Sequence, residues 1–380
     1  MPTISKDTVR DALKVVMAPD GKTDIVTAGI VSEIVIAGDN VMFALNIDPD
    51  NAKAFEPVRS AAQQAAEAID GVGKVMAAMT AEKKQAPATN GSTAPQAPAQ
   101  PTQAPGGGQS AGVPGVERII AVASGKGGVG KSTTAINLAL GLQSLGLKIG
   151  VLDADIYGPS LPRLVGLTGQ PQPVSPGARM LKPMEAYGLK IMSMGFLVEE
   201  DTPVIWRGPM VMSALQQMLS EIAWAELDIL VVDMPPGTGD AQITMAQQTP
   251  LAGAVIVSTP QDLALIDARK GLNMFRKVDV PVLGIVENMS YFTCSKCGER
   301  HEIFGHGGAE NEANKLGVKF LGAVPLDAEV RIRSDAGQPI VASSPDSEHA
   351  NIYRQIAASV WEQLQTKEAS QRQAPRIVME

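Results

Sequence analysis

The chain has 380 residues, of which 44% are hydrophobic and 19% are charged, and its formal net charge is −8. This composition excludes a wholly disordered chain, and the net acidity argues against a nucleic-acid partner bound through bulk positive charge. The sequence has no apolar run of about 18 residues and no apolar N-terminal stretch, so we expect no membrane span, no membrane partner and no secretory signal.

Residues 1–84 are predicted to form a small α+β domain without a motif of its own. Its expected elements are a helix at Val9–Met17, strands at Ile25–Ile36 and Val41–Ile47, a helix at Ala52–Ile69 and a strand at Val72–Met79. The turn residues Gly38-Asp39-Asn40 are expected to join the first two strands as a hairpin. The element order is therefore α-β-β-α-β.

Residues 85–116 are predicted to be a flexible linker. The segment contains no charged side chain, and its prolines alternate with Ala, Gln, Gly and Ser. Such a composition buries too little apolar surface to offset the entropy of ordering. A proline-rich partner-binding segment is the alternative, although the stretch lacks the basic and aromatic anchors that such segments often carry.

Residues 117–367 are predicted to be a doubly wound α/β domain with a mostly parallel sheet. Most of its apolar runs are continuous rather than alternating, as in parallel strands that are covered on both faces. The predicted strands are Arg118–Ala123, Lys148–Asp153, Lys190–Met194, Ile229–Asp233, Ala254–Ser258, Val282–Asn288 and Phe320–Val324. The predicted helices include Thr133–Leu145, Met210–Ala225 and Asn351–Gln365, and a flexible tail follows at 368–380.

A glycine-rich loop follows the first of these strands and opens a helix. Residues 125–132 read Gly-Lys-Gly-Gly-Val-Gly-Lys-Ser and match the phosphate-binding pattern G-x-x-x-x-G-K-[ST] in the strand–loop–helix context that it requires. In such loops the backbone N–H groups converge on phosphates, the lysine bridges the β- and γ-phosphates, and the hydroxyl coordinates Mg²⁺. ATP and Mg²⁺ are therefore the expected cofactors. The predicted nucleotide-binding residues of the loop are Gly125, Lys126, Gly127, Gly128, Val129, Gly130, Lys131, Ser132 and Thr133.

Lys126 is a second lysine, placed early in the loop. With it, the loop resembles the deviant Walker A motif of the MinD/ParA/nitrogenase-iron-protein superclass. The resemblance implies that Lys126 reaches the partner's nucleotide across a dimer interface, where a cation supplied in trans stabilises charge on the transferring phosphoryl group. Hydrolysis would then depend on dimerisation.

Acidic residues end two of the predicted strands at the sheet edge where ligands of α/β proteins bind. Asp233 is the expected Walker B carboxylate, which holds Mg²⁺ through water. Asp155 is the candidate for positioning the attacking water, with Asp153 nearer the metal, although the spacing alone allows the reverse. Asn288 matches the position at which related proteins hold the adenine base. Lys126, Lys131 and Asp155 are thus the predicted catalytic residues.

Cys294 and Cys297 are the only cysteines of the chain. Their number and spacing favour a metal or redox pair in a reducing compartment, and we expect the cytoplasm. Two thiolates are half of what a closed tetrahedral site or a four-iron cluster needs, and a two-fold dimer supplies all four. Competing interpretations are a zinc site completed by His301 and His306, a thioredoxin-like pair, which usually sits at a helix start rather than in a loop, and two unliganded cysteines.

Residues 117–365 are similar to the Mrp/ApbC family of iron–sulfur cluster carriers. The resemblance rests on Gly125–Thr134, Asp153–Pro162, Trp206–Met210, Asp233–Asp240, Glu287–Ser290 and the cysteine pair. It implies an ATPase whose homodimer bridges a labile [4Fe–4S] cluster through Cys294 and Cys297 of each chain, receives it from an upstream scaffold and delivers it to apo-proteins. Residues 1–84 resemble the small domain that accompanies this ATPase in many members, but they lack the cysteine which that domain often carries.

Two other classes of function stay open from the sequence alone. A spatial-organising ATPase of the MinD or ParA kind would use a basic amphipathic C-terminal helix at a membrane, yet Asn351–Gln365 contains only Arg354 as a basic residue. An ATP-gated electron donor or a zinc-dependent metallochaperone would share the nucleotide site. Transfer of an intact cluster distinguishes the carrier from the electron donor.

Overall fold

The computed structural model describes residues 5–19, 23–31, 34–37, 40–47, 52–69, 71–73, 75–81, 112–198 and 208–372. The chain divides into two compact units, one comprising residues 1–109 with 201–213 and the other residues 110–200 with 214–380. No helix within the described ranges is long and apolar enough to cross a membrane. Parts of six sequence predictions lie outside the described residues: most of the linker, residues 373–380 of the tail, Gly38-Asp39, Trp206-Arg207, residues 32–33 of the first predicted strand and residue 74 of the third.

The first unit contains a three-stranded sheet whose core is shared with two helices. Its elements are α1 (Lys6–Leu13), β1 (Val35–Ala37), β2 (Asn40–Ile47), α2 (Ala52–Glu67) and β3 (Val75–Ala81). β1 pairs antiparallel with β2, and β2 pairs parallel with β3. Leu13 of α1, Ala62 of α2 and Phe43 of β2 belong to one buried cluster. The predicted α-β-β-α-β order is therefore present.

The predicted strand Ile25–Ile36 is wrong over most of its length. Residues 25–29 form turns. Asp24 Oδ1 accepts hydrogen bonds from the backbone N–H groups of Val26 at 3.0 Å and Thr27 at 2.8 Å, which gives the backbone an alternative to strand pairing. Ile25 and Ile34 are nonetheless buried. The apolar residues at 25 and 34 therefore indicate burial in the core and not an extended strand.

The second unit is built on an eight-stranded sheet with the order β13-β10-β9-β4-β8-β5-β7-β6. Every neighbouring pair is parallel except β6 with β7. This arrangement confirms the predicted mostly parallel α/β fold. The strands from residue 116 onward are β4 (Val116–Ala123), β5 (Ile149–Asp153), β6 (Met184–Ala186), β7 (Leu189–Ser193), β8 (Leu227–Asp233), β9 (Leu251–Ser258), β10 (Val282–Asn288), β11 (Phe292–Thr293), β12 (Arg300–His301) and β13 (Phe320–Val324).

Helices connect the strands, and two of them differ from prediction by more than two residues at their C-terminal ends. The helix predicted to reach Ala225 ends at Ser220, and Ala225 and Glu226 adopt positive φ values of 37° and 49° that no α-helix contains. The last helix runs to Arg372, beyond the predicted Gln365. The helices described from residue 131 onward are α3 (Lys131–Gln143), α4 (Leu161–Val165), α5 (Gly208–Ser220), α6 (Asp240–Gln248), α7 (Asp262–Lys277), α8 (Gly308–Leu316), α9 (Ala328–Asp335), α10 (Ile340–Ser343) and α11 (Glu348–Arg372).

Candidate functional site

The glycine-rich loop connects β4, a central strand, to the N-terminus of α3. Gly130, the last loop residue, has a φ of +79°. A Cβ at this position would lie 2.1 Å from Asn288 Nδ2, so the left-handed backbone favours glycine and any other residue would displace the Asn288 side chain. Asn288 Nδ2 also donates a hydrogen bond to Val129 O at 2.9 Å. The end of β10 is therefore in direct contact with the phosphate loop.

Lys131, the first residue of α3, forms a buried ion pair with Asp233 at the end of β8. Its Nζ lies 2.5 Å from Asp233 Oδ1 and 3.2 Å from Ser132 Oγ. Burial raises the pKa of Asp233, while the Lys131 ammonium acts in the opposite direction. Asp233 Oδ2 is buried and has no hydrogen-bond partner within the described part of the chain. A free carboxylate oxygen beside a serine hydroxyl has the chemistry that a hydrated Mg²⁺ ion requires.

Asp153, at the end of β5, is opposite Asp233 in the register of the sheet. Burial, followed by repulsion from Asp233, raises the pKa of Asp153 to about 7. Both carboxylate oxygens are already engaged. Oδ1 accepts from Asp155 N–H at 3.1 Å, and Oδ2 accepts from Ser160 N–H at 3.0 Å, Leu161 N–H at 3.1 Å and Ser193 Oγ at 3.1 Å. Asp153 therefore fixes the loop between β5 and α4.

Asp155 lies in that same loop and is partly exposed. Its Oδ1 accepts a hydrogen bond from Gly158 N–H at 3.3 Å. Burial raises the pKa of Asp155, and the positive charge of Lys131 opposes the rise. Of the carboxylates of Asp153 and Asp155, that of Asp155 is thus the one that belongs to a partly exposed residue.

Lys126 lies on a part of the loop whose backbone is fixed. Ser124 Oγ donates a hydrogen bond to the carbonyl oxygen of Lys126 at 2.9 Å, and Gly237 N–H, from the loop after β8, donates to Ser124 O at 3.0 Å. The Lys126 residue itself is half-buried. Part of this residue is therefore accessible to solvent.

The two cysteines lie in the loop at the tip of a short β-hairpin, rather than at the start of a helix. β11 and β12 pair antiparallel, with Phe292 opposite His301. At the tip, Cys294 N–H donates to Glu299 O at 2.9 Å, and Gly298 N–H donates to Cys294 O at 2.8 Å. These bonds fold the backbone around the Cys294 side chain.

Both thiols are free; Cys297 is exposed and Cys294 is half-buried. The backbone N–H of Cys297, and after it that of Lys296, lowers the pKa of the Cys294 thiol. These donors stabilise the thiolate, the form of cysteine that binds metal.

The alternative single-chain zinc site does not assemble among the described residues. No three or more of their His, Cys, Asp and Glu side chains are grouped so that they could hold a metal ion. His306 Nδ1 lies 3.0 Å from Glu302 Oε1, and His301 packs against Phe292. The two histidines therefore have neighbours other than the cysteines.

Two polar residues at the same edge of the sheet were given no role from the sequence, although Glu287 lies in the segment Glu287–Ser290 that supports the family resemblance. Ser193 ends β7 and donates to Asp153, as described above. Glu287 lies beside Asn288 in β10 and is buried. The signal available for both was a polar residue at the C-terminal end of a parallel strand, where ligand sites of α/β folds lie.

The fold and the loop geometry define a P-loop NTPase. Residues 115–361 match the family described as NUBPL iron-transfer P-loop NTPase, and residues 6–77 match a family of iron–sulfur cluster assembly proteins. The first match covers more than half of the chain. The chain therefore belongs to the NUBPL iron-transfer family of P-loop NTPases.

Individual relatives agree with this assignment. The chain is 54% identical over 253 residues to the iron–sulfur cluster transfer protein NUBPL of Dictyostelium discoideum, and this region covers 67% of this chain and 78% of that protein. It is 56% identical over 253 residues to the iron–sulfur cluster carrier protein of Escherichia coli K12, 67% of this chain and 68% of that protein. A solved nucleotide-binding protein from Archaeoglobus fulgidus in complex with ADP is 40% identical, with a TM-score of 0.54, over 63% of this chain and 92% of that chain. The predicted resemblance to iron–sulfur cluster carriers, the fold class and the ATPase class are confirmed.

Proposed function

We propose that this protein is an ATP-dependent carrier whose homodimer holds one [4Fe–4S] cluster through Cys294 and Cys297 of each chain. The observation that carries the proposal is the cysteine hairpin, which presents two free thiols, half the ligands that a four-iron cluster takes. The names of the relatives, cluster carrier and cluster transfer protein, support the identity of the cargo. The expected partners are an upstream scaffold and apo-proteins, in the cytoplasm.

The exposed position of the hairpin tip suits a cargo better than a permanent cofactor. Cys297 is exposed, so an acceptor thiolate has access to the iron atom that this cysteine would ligate. Transfer then proceeds by exchange of one thiolate ligand for another at each iron, and the cluster keeps its electron count. Each carrier thiolate that leaves takes up a proton or binds the next cluster.

The residues around Lys131 suit a Mg²⁺–nucleotide complex. The unpartnered Asp233 Oδ2 and the Ser132 hydroxyl are the oxygens that would hold the ion and its waters. When bound, Mg²⁺ would neutralise charge on the β- and γ-phosphates. Lys131 then exchanges its carboxylate partner for phosphate, and Asp155 orients the attacking water.

The remaining two charged groups have supporting roles in the proposed reaction. Asp153 keeps the loop of Asp155 in place through its four accepted hydrogen bonds. Lys126 stabilises the transferring phosphoryl group bound by the partner chain, which makes hydrolysis depend on the dimer.

Cluster transfer in the presence of an iron chelator tests the proposal. Protein loaded anaerobically is mixed with an apo-acceptor that requires a [4Fe–4S] cluster, and acceptor activity is followed. We expect activation that the chelator does not block, and no loading or transfer by Cys294→Ala or Cys297→Ala. Ser295→Ala, between the two cysteines, is the matched control and behaves as wild type. Full loading of both cysteine variants would contradict the proposal.

A further inference from the structure

One buried carboxylate contacts both ends of the segment that carries the cysteines. Glu287, in β10, is 1% exposed. Its Oε1 accepts a hydrogen bond from Ser290 Oγ at 2.5 Å, and its Oε2 accepts from the backbone N–H of Ala309 at 2.7 Å. Ser290 precedes the cysteine hairpin, and Ala309 follows it in the first turn of α8. A single side chain therefore holds the entry and the exit of this segment.

The entry point is in turn joined to the hairpin itself. Ser290 N–H donates to Val324 O at 2.9 Å. The carbonyl oxygen of Tyr291, the next residue, accepts from Leu326 N–H at 2.7 Å. The Arg300 guanidinium, in β12, lies 3.9 Å from the centre of the Tyr291 ring. Ser290 and Tyr291 are thus bonded to the end of β13 and the residues after it, and Tyr291 also contacts the second strand of the hairpin.

The residue next to Glu287 touches the nucleotide loop. Asn288 Nδ2 is hydrogen-bonded to Val129 O and is close to Gly130, as described above. Successive side chains of a strand point to opposite faces, so Asn288 contacts the phosphate loop while Glu287 contacts the base of the hairpin. One peptide unit therefore separates a contact to the nucleotide site from a contact to the cysteine segment.

We propose that Glu287 is a positioning residue that couples the nucleotide loop to the cysteine hairpin. Occupancy of the loop shifts the end of β10 through Asn288, and the two hydrogen bonds of Glu287 carry that shift to both ends of the hairpin segment. The inference rests on the proposed function, because it supplies the physical connection between nucleotide binding and the holding of a cluster.

Thiol labelling of the metal-free, full-length protein tests the coupling. The chain has only two cysteines and both are in the hairpin, so the labelling rate reports on the hairpin alone. We expect Mg²⁺ with a non-hydrolysable ATP analogue to change the wild-type rate about fivefold or more, the lower end of typical coupling between sites. Ser290→Ala removes only the hydrogen bond at the entry, and Glu287→Ala removes both hydrogen bonds. In each variant the ratio of the labelling rates with and without nucleotide should move towards one.

Two variants distinguish coupling from general damage to the core. Glu287→Gln retains a carbonyl acceptor for Ala309 N–H and an amide that donates to the Ser290 hydroxyl, so it should restore the nucleotide effect. Glu312→Gln alters another buried glutamate, on α8, whose carboxylate pairs with Arg269. This control should also keep the wild-type ratio.

Three results would overturn the inference. They are a wild-type labelling rate that nucleotide does not change, an unchanged ratio in Ser290→Ala and Glu287→Ala, and loss of nucleotide affinity in Ser290→Ala, measured with a fluorescent nucleotide. The last would place Glu287 in nucleotide binding rather than in coupling. Because labelling uses metal-free protein, failure of the cluster-carrier function itself is detected separately, as absence of iron and sulfide after reconstitution.

Discussion

Lys131 Nζ lies 2.5 Å from Asp233 Oδ1, and the two side chains are 7% and 0% exposed. The residues are 102 positions apart in the sequence and meet at the carboxyl edge of the sheet. The lysine that is expected to bind phosphate is therefore also the cation that neutralises the buried carboxylate. In the proposed function, nucleotide phosphates compete with Asp233 for this lysine, so that replacing the lysine would affect both the stability of the domain and ATP hydrolysis.

Replacing Lys131 should therefore damage both properties. In Lys131→Met the Asp233 carboxylate stays buried without its cation, and we expect the free energy of unfolding to fall by about 3 kcal/mol. Loss of the phosphate contact should lower ATP hydrolysis by about 100-fold or more. Urea unfolding and phosphate release measure the two effects. Lys148→Met, which removes an exposed pair with Glu226, should change neither. Unchanged unfolding of Lys131→Met would contradict the interpretation.

The role of Lys126 in trans can be tested by mixing two inactive variants. Lys126→Ala keeps its own Lys131, and in a mixed dimer it receives Lys126 from a Lys131→Ala partner, so one complete site forms. A one-to-one mixture should regain about a quarter of wild-type hydrolysis, because half of the dimers are mixed and each has one active site. Each variant alone should stay inactive. No recovery in a mixture that is shown to exchange subunits would exclude the role in trans.

The buried carboxyl of Asp153 predicts a specific pH dependence. Burial and Asp233 raise its pKa to about 7 in the folded chain, above the ordinary value of 3.8. Between these two pH values the folded chain holds a proton that the unfolded chain has released, so this group's contribution to stability falls as pH rises from about 4 to about 7 and is constant above. The melting temperature of metal-free protein should show this fall, and Asp153→Asn should lack it while being less stable at pH 5. Parallel curves for the two proteins between pH 5 and pH 8 would contradict the prediction.

Alanine substitutions at two glycines of the phosphate loop, Gly130 and Gly127, should differ in their effect on stability. An alanine at Gly130 would bring its Cβ to 2.1 Å from Asn288 Nδ2 at a φ of +79°, whereas a Cβ at Gly127 has no atom within 4 Å. We expect Gly130→Ala to lower the free energy of unfolding by about 2 kcal/mol or more, because left-handed backbone and a steric clash both oppose it. Gly127→Ala should stay within about 0.5 kcal/mol of wild type. Equal stabilities in thermal unfolding without nucleotide would show that the contact with Asn288 is not tight.

The sheet was predictable because its strands are continuous apolar runs. The predicted bounds of Val282–Asn288 and Phe320–Val324 agree with β10 and β13. The start of Ile25–Ile36 misled the prediction because Ile25 is buried in a turn that Asp24 stabilises. Periodicity reports burial, and it identifies strands only where no side chain offers the backbone other hydrogen bonds.

In the candidate site, the sequence predicted the residues that are neighbours in the chain but not the contacts between residues that are far apart in it. The phosphate loop is a contiguous motif whose glycines and lysines act within a few residues, so the sequence alone located it. The bond from Glu287 to Ala309 crosses 22 residues, and the Lys131–Asp233 pair crosses 102. No spacing rule encodes such contacts, because the packing of β10, β8 and α8 creates them.

Anaerobic reconstitution with iron and sulfide, followed by metal and sulfide analysis, tests the bridging cluster most directly. Wild type and the Ser295→Ala control should hold about four irons and four sulfides per two chains, because each chain supplies two of the four thiolates. Cys297→Ala, treated in parallel, should hold none. Zinc without sulfide, or one metal ion bound per single chain, would contradict a cluster shared between two copies of the hairpin.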